Sequence, residues 1–353
     1  MWRRILLFLV VGATCVAVTC NIAAAQEDIE PAPTRETPPP EIQDSLAFSF
    51  PTLGEFKKGL LDLGLNFQLN YTGEVFGNPL GGVRQRAIYE NLLELAIDGD
   101  LQRIAGLNGA SFHINYFQVN GAGLSRCCIF NFLTVSNIEA LPSTRLFEAW
   151  FEQKLFGDMA SLRVGQLAAN TEFAVSEYSQ VYLNASFGWP NIFAADMPSG
   201  GPNYPLATPG VRLKVSPNKE VHLLAAIFNG DPSGAGFTGL QEILDPAGVN
   251  FIGFWDKRPE DSFGVAASYL RISPQARENA LDEALFTPGP VDLLSYEAGF
   301  ELTYQAQVVP GFLVQPDFQY IFRPGGGALN PLNPAAGHIP DAAVFGLRTL
   351  IKF

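Results

Sequence analysis

The chain has 353 residues, a net charge of −13, 47% hydrophobic residues and only 16% charged ones. An acidic chain of this size lacks the basic face that phosphate contacts need, so nucleic-acid binding is excluded. The leader proposed below would take Arg3 and Arg4 with it and lower the charge to −15.

Met1–Ala25 begins with Arg3 and Arg4, continues as an apolar run from Ile5 to about Val18, and ends in Ala23-Ala24-Ala25. That is the layout of a secretory signal, with cleavage expected after Ala25. The run is too short for a membrane anchor. Cys15 and Cys20 lie inside it, so export would leave only the adjacent Cys127 and Cys128. Neighbouring α-carbons sit about 3.8 Å apart, shorter than an ordinary disulfide prefers. Two thiols in a loop are therefore expected there, with a vicinal disulfide as the alternative.

Residues 26–51 form an acidic stretch with prolines at 31, 33, 38, 39 and 40, read as a linker. Residues 52–62 read as a short amphipathic helix. Thr52 and Glu55 have capping-box spacing, and Leu53, Phe56 and Leu60 share one face. Residues 63–353 then change to a period of two. Leu63, Leu65, Phe67, Leu69 and Tyr71 alternate with Asn66, Gln68, Asn70 and Thr72.

Further strands are expected near 85–98, 110–118, 144–156, 161–167, 210–216, 220–228, 249–255, 262–272, 296–308 and 312–322. The twelfth, 341–353, places Ala343, Phe345, Leu347, Ile351 and Phe353 on one face, with Arg348 and Lys352 on the other. Connections after the fourth, sixth, eighth and tenth strands are short, as at Gly157-Asp158 and Pro310-Gly311. Those after the third, fifth, seventh, ninth and eleventh are long. An even strand number, this alternation and a terminal phenylalanine describe an all-β, transmembrane, antiparallel up-and-down barrel of about twelve strands with a short N-terminal helix. Its location would be the outer membrane of a Gram-negative bacterium, with membrane lipids around it and barrel-assembly machinery reading Phe353.

The polar faces of such strands line a lumen. By parity, His113 and Asn115 point inward from the third strand, and Glu148, Trp150 and Glu152 from the fourth. Arg163 points inward from the fifth, Arg212 and Lys214 from the sixth, Gln315, Asp317 and Gln319 from the eleventh, and Arg348 from the twelfth. Phe147, Ala149 and Phe151 would face lipid. Opposed carboxylates and guanidinium groups supply donors and acceptors for hydroxyls. Trp150 could stack on a sugar ring. Bracing of the wall by luminal ion pairs is the alternative for each. The long loop 168–208, with Trp189 in Phe187-Gly188-Trp189-Pro190, is expected to fold inward and narrow the lumen.

No hydrolase or metal motif is present, and no cofactor is implied. Ser111 and His113 share a face, which leaves a barrel-embedded hydrolase conceivable without a third triad member.

Several segments resemble the carbohydrate-selective outer-membrane porins of the OprB type. They are S-N-I-E-A (136–140), R-L-F-E-A-W-F-E-Q (145–153), S-L-R-V-G-Q-L-A-A-N-T-E-F (161–173), F-G-W-P (187–190), G-P-N-Y-P-L-A-T-P-G-V-R-L (201–213), A-A-I-F-N-G-D-P-S-G (225–234), Y-E-A-G-F-E-L-T-Y-Q-A-Q (296–307), Q-P-D-F-Q-Y-I-F-R-P-G-G-G (315–327) and G-L-R-T-L-I-K-F (346–353). The resemblance implies passive passage of glucose and other small sugars, with Glu148, Trp150, Glu152, Arg163, Arg212 and Arg348 as lining residues. It also implies sixteen strands. Between Gly234 and Arg258 this chain has room for one strand at most, so several strands are missing and the pore would be narrower. A general small-solute or ion pore without a sugar site is the alternative function.

Overall fold

The computed structural model describes residues 3–11, 14–22, 45–190, 193–194, 197, 200–218, 221–229, 242–244, 247–252, 258–286 and 293–353. In chain order the strands are β1 (Arg3–Val11), β2 (Thr14–Ile22), β3 (Leu65–Leu80), β4 (Ala87–Asp100), β5 (Ala110–Gly121), β6 (Ser143–Leu155), β7 (Ala160–Leu167) and β8 (Thr208–Val215). They continue with β9 (His222–Asn229), β10 (Glu242–Leu244), β11 (Ala247–Ile252), β12 (Ser262–Ile272), β13 (Tyr296–Val309), β14 (Phe312–Phe322) and β15 (Ala342–Lys352). All twelve expected strands are present.

Every described pairing is antiparallel. From β3 to β9 each strand pairs with the next in sequence, as do β12 to β15. The last strand closes on the first of the wall, β15 on β3, with Arg348 opposite Glu74. Phe353 extends this seam: its N–H donates to Leu69 O at 2.8 Å, and its carbonyl accepts from Leu69 N at 3.1 Å. β10 and β11 follow one common register along β12, Glu242 opposite Ile272 and Ile252 opposite Ser262. By that register they count as a single strand. This is the one strand that the shortened stretch was expected to hold. The stretches 230–241, 245–246 and 253–257 lie outside the described residues.

β1 and β2 form a hairpin on β9, with Thr14 opposite Asn229. Residues 3–11 and 14–22 therefore supply two strands that the reading of a cleaved signal did not anticipate. Val10, Val11, Val16, Val18 and Ile22 suit a strand, and β9 offers unpaired backbone groups. Among the described residues the sheet does not close: it ends at β1 on one side and β10 on the other. Most of the proposed linker, residues 26–44, is outside the described residues.

A helix over Pro51–Asp62 precedes β3. Thr52 does not cap it. The cap position belongs to Phe50, with no side-chain bond, and Pro51 takes the first helical position, where a missing N–H costs nothing. Lys57 on this helix donates to Ser45 Oγ at 3.1 Å, and burial lowers its pKa.

The outward face is an apolar band. Val75, Phe151, Val164, Val211 and Ile227 are all exposed, and the last four stand opposite one another from β6 to β9. A band of this kind suits lipid, not water. No helix among the described residues is long and apolar enough to cross a membrane.

The turn before β12 is braced by Asp261, which is 3% exposed. It pairs with Arg258 Nε at 2.7 Å, accepts from Gln307 N at 3.0 Å and accepts from the Tyr304 hydroxyl. Burial works against its charge, but these donors outweigh burial and hold its carboxyl below the usual carboxylate range. A depressed carboxylate stabilises the fold above its unfolded pKa of about 3.9 and loses that contribution as the pH falls through its folded value. Asp261→Asn is therefore expected to lower the thermal midpoint at pH 7. The difference from the parent chain should shrink below about pH 4, and a midpoint difference unchanged from pH 7 to pH 2 would refute the assignment.

Candidate luminal site

Two outer loops enter the lumen from the β5–β8 side and are pinned on the opposite wall. The first, 122–142 after β5, contains a π-helical turn over Ser125–Ile129. Within it Cys127 and Cys128 are joined by a disulfide, not left as the two free thiols expected from their adjacency. Cys128 is fully buried, and its carbonyl accepts from Val83 N at 2.7 Å and Arg84 N at 3.0 Å. The first outer loop thus rests on this one. Glu139 accepts from Ser125 N and Arg126 N, both at 3.0 Å; burial raises its pKa against those bonds.

The second inserted loop is 168–207, the one expected to fold inward. The two loops bond each other, Asn137 N to Leu183 O at 2.7 Å and Ala185 N to Thr134 O at 2.9 Å.

Inward carboxylates on the far wall hold both loops. Glu297 accepts from Phe132 N (2.9 Å), Leu133 N (2.7 Å) and Gly325 N (2.7 Å). Glu301 accepts from Leu183 N (2.6 Å) and Asn184 N (3.1 Å). Gln319 donates to Val135 O and Gln315 to Val181 O. Glu74 accepts from Ser136 Oγ at 2.6 Å and pairs with Arg348, which also donates to Asn137. Glu74, Glu297, Glu301, Gln315 and Gln319 are almost fully buried. Buried backbone donors need acceptors, and a loop inside a barrel has no ladder to supply them. Pro324-Gly325-Gly326-Gly327 supplies part of the geometry. Its glycines have φ of 65°, 72° and 82°, and a Cβ on Gly325 would lie 2.9 Å from Phe130 O.

On the near wall β6 departs from simple alternation. A register shift sets Ile114 opposite Ala149 and Tyr116 opposite Leu146, so Phe147 and Glu148 together face Asn115. A bulge of this kind re-aims side chains. Both residues are consequently buried. Phe147 does not face lipid as parity suggested; it stacks on Phe117 at 4.5 Å and meets Tyr204 of the inserted loop. Phe151, beyond the bulge, is exposed as expected. Glu148 accepts from Ala168 N at 2.9 Å at the root of the loop.

Further along β6, Trp150 lies between two partners. His113 stacks on it at 5.1 Å, and the Arg163 guanidinium sits 3.6 Å from its ring centroid. Trp150 thus has an aromatic and a cationic neighbour at its ring. Its Nε1–H is buried without an acceptor. His113 Nδ1 is 2.7 Å from Asp98, not paired with Ser111.

Arg163 also bonds Glu152 through Nε (3.0 Å) and Nη2 (2.7 Å). Arg212, 1% exposed, reaches Glu172 at 2.7 and 2.9 Å, Glu152 at 3.2 Å and Ser161 at 2.7 Å. The four charges form one alternating array across β6, β7, β8 and the inserted loop. Glu172 belongs to this array although parity gave no reason to single it out, because it lies on a loop. Lys214 makes no ion pair among the described residues and stands apart from the array. Asp317 is on the far wall with Gln319 at 2.9 Å. Trp189 is buried beside Phe193 at 5.2 Å in an apolar cluster with Leu167, Phe173 and Phe228.

Two cavities flank this level. One of about 720 Å³, toward the N-terminal helix, is bordered by Asp98, Ser111, Trp150 and Lys154. The other, about 580 Å³ and under the inserted loops, is bordered by Glu94, Asn115, Glu148, Asn137 and Trp189. Glu148 and Trp150, two residues apart on β6, mark the boundary between them.

Comparison with known proteins adds to this geometry. The sequence model of the carbohydrate-selective porin family, OprB, matches residues 84–244 and 246–353. The break falls within the shortened stretch. The high-pH structure of Pseudomonas putida OprB superimposes with a TM-score of 0.71 at 20% identity, over 85% of this chain and 97% of that one. The low-pH structure of the same protein gives 0.50 at 19% identity, over 88% and 99%. These likenesses establish the porin barrel fold. No curated protein matches the chain.

Proposed function

The chain belongs to the carbohydrate-selective porin family, OprB, and from that premise we propose that it is an outer-membrane channel through which small sugars diffuse passively. The porin family is a channel family, not a family of enzymes. The observation that supports sugar passage best is the alternating Glu152–Arg163–Arg212–Glu172 array beside the boundary of the two cavities. Charges already paired with each other offer hydrogen-bond donors and acceptors to a neutral polyol without holding an ion.

In this reading Trp150 props Arg163 in place and takes no part in stacking on the sugar. Glu148 holds the root of the inserted loop, and Trp189 anchors that loop in its apolar seat. His113, Asp317 and Arg348 brace the wall and the far side of the loops. Lys214 is the lining cation least tied down.

Met1–Ala25 is the leader in this proposal, and its removal uncovers the edge of β9. That edge can then meet the strand formed by β10 and β11. Counting that strand once, a barrel of twelve strands results, even as the topology requires.

Liposome swelling tests the reading. Vesicles holding the mature chain should admit glucose faster than a trisaccharide, and Trp150→Ala should reduce that preference, since Arg163 would lose its support. Equal rates for all sugars, in parent and variant alike, would favour a general pore.

A further inference from the structure

A third cavity, about 560 Å³, opens on the outside of the barrel at the ends of β12 and β13 that carry the long loops. It is bordered by Tyr269, Arg271, Arg277, Glu278, Leu281 and Tyr296. Along β12, Ala266, Ser268, Leu270 and Ile272 are buried inward while Ala267, Tyr269 and Arg271 are exposed outward. Arg271 pairs across the ladder with Tyr296, and Tyr296 stacks on Tyr269 with ring centroids 5.6 Å apart. The tyrosines form an aromatic patch of the kind found where a barrel crosses the membrane surface.

Above it lies the helix Pro274–Ala284, which brings Arg277 to the cavity. Leu281, Leu285 and Phe286 at its end are 49%, 79% and 86% exposed. Among the described residues neither Arg271 nor Arg277 has a side-chain ion pair, and Glu278 is the one carboxylate bordering the cavity. A third cation, Arg323, lies 5.0 Å from the Tyr296 ring, with its Nε buried and lacking an acceptor.

An unpaired guanidinium on the lipid-facing wall is costly near the bilayer and is relieved by an anion at headgroup depth. Guanidinium groups bind phosphate with paired N–H donors. We propose that this outer groove binds a phosphate-bearing glycolipid of the outer leaflet, with its phosphate on Arg271 and Arg277 and its chains running down the outward face of β12 past Tyr269 and Ala267. The proposal rests on the outer-membrane placement but not on sugar passage.

Native mass spectrometry of the full chain, titrated with bisphosphorylated lipid A, tests it. One lipid should remain bound to the parent chain. Arg271→Gln with Arg277→Gln should weaken binding on the order of tenfold or more, as expected for lost charge-assisted bonds. Both arginines are exposed and unpaired, so the variant should still migrate as a folded barrel. Lys58→Gln with Arg103→Gln, an equal loss of charge at the opposite end, should leave binding intact. Millimolar inorganic phosphate should not displace the lipid. Equal affinity in the groove variant, equal loss in the control, or displacement by free phosphate would each overturn the proposal.

Discussion

Alanine at both Glu297 and Glu301 is expected to raise single-channel conductance and abolish discrimination among sugars while the barrel still forms. The two carboxylates accept from the backbone of Phe132, Leu133, Gly325, Leu183 and Asn184. No other described acceptor replaces them. Each buried N–H left without a partner costs about 1–3 kcal/mol. Four of these N–H groups belong to the inserted loops, and their loss outweighs the remaining contacts at Glu74, Gln315, Gln319 and Arg348. The loops should therefore leave the lumen. The strand ladder is untouched, so heat-modifiable migration of the folded barrel should persist. Each single variant should fall between parent and double variant. An unchanged conductance in the double variant would show that the loops do not limit the passage.

Arg212→Ala should shift the pore toward cations and destabilise it. Arg212 is almost fully buried, and its guanidinium serves Glu152, Glu172 and Ser161 together. Its removal leaves two carboxylates sharing Arg163 alone. Breaking a buried ion pair from one side costs about 3–5 kcal/mol, because the remaining charge is unpaired. The added net charge of −1 at the narrow level should move the reversal potential in a salt gradient toward the cation value. Arg212→Lys keeps the charge but not the forked geometry, so it should restore selectivity more fully than stability. A reversal potential identical to the parent's in Arg212→Ala would place the array outside the ion path.

Much of this arrangement was legible in the sequence because a barrel strand encodes two environments in a period of two. Tyr296–Val309, with glutamates and glutamines on one face and apolar residues on the other, could hardly be anything else. Parity puts Glu152, Arg163 and Arg212 on the inward side; that Glu152 stands opposite Arg163 and Arg163 opposite Arg212 comes from the register, which parity does not give. The bulge on β6 was not legible. Phe147 and Glu148 share a side because one extra residue is inserted there, and alternation carries no sign of it.

The roles of Glu297 and Glu301 were also hidden. Their acceptor capacity is spent on the backbone of the inserted loops, at the closest 117 positions away, and for Glu297 also on Gly325, 28 positions away. The inserted loop 122–142 went unread for a related reason: it has no periodicity, and its seat is made of residues from other strands. The leader is the reverse case. Its apolar, β-branched composition reads as a signal, and the same composition lets it pair with an unfilled sheet edge.

The central claim is that the docked loops leave a passage whose polar wall recognises sugar. Single-channel current through the mature chain in a planar bilayer, recorded while glucose and maltose are titrated, tests it most directly. Saturable, concentration-dependent block is the predicted result. Conductance that stays constant at every sugar concentration would contradict it.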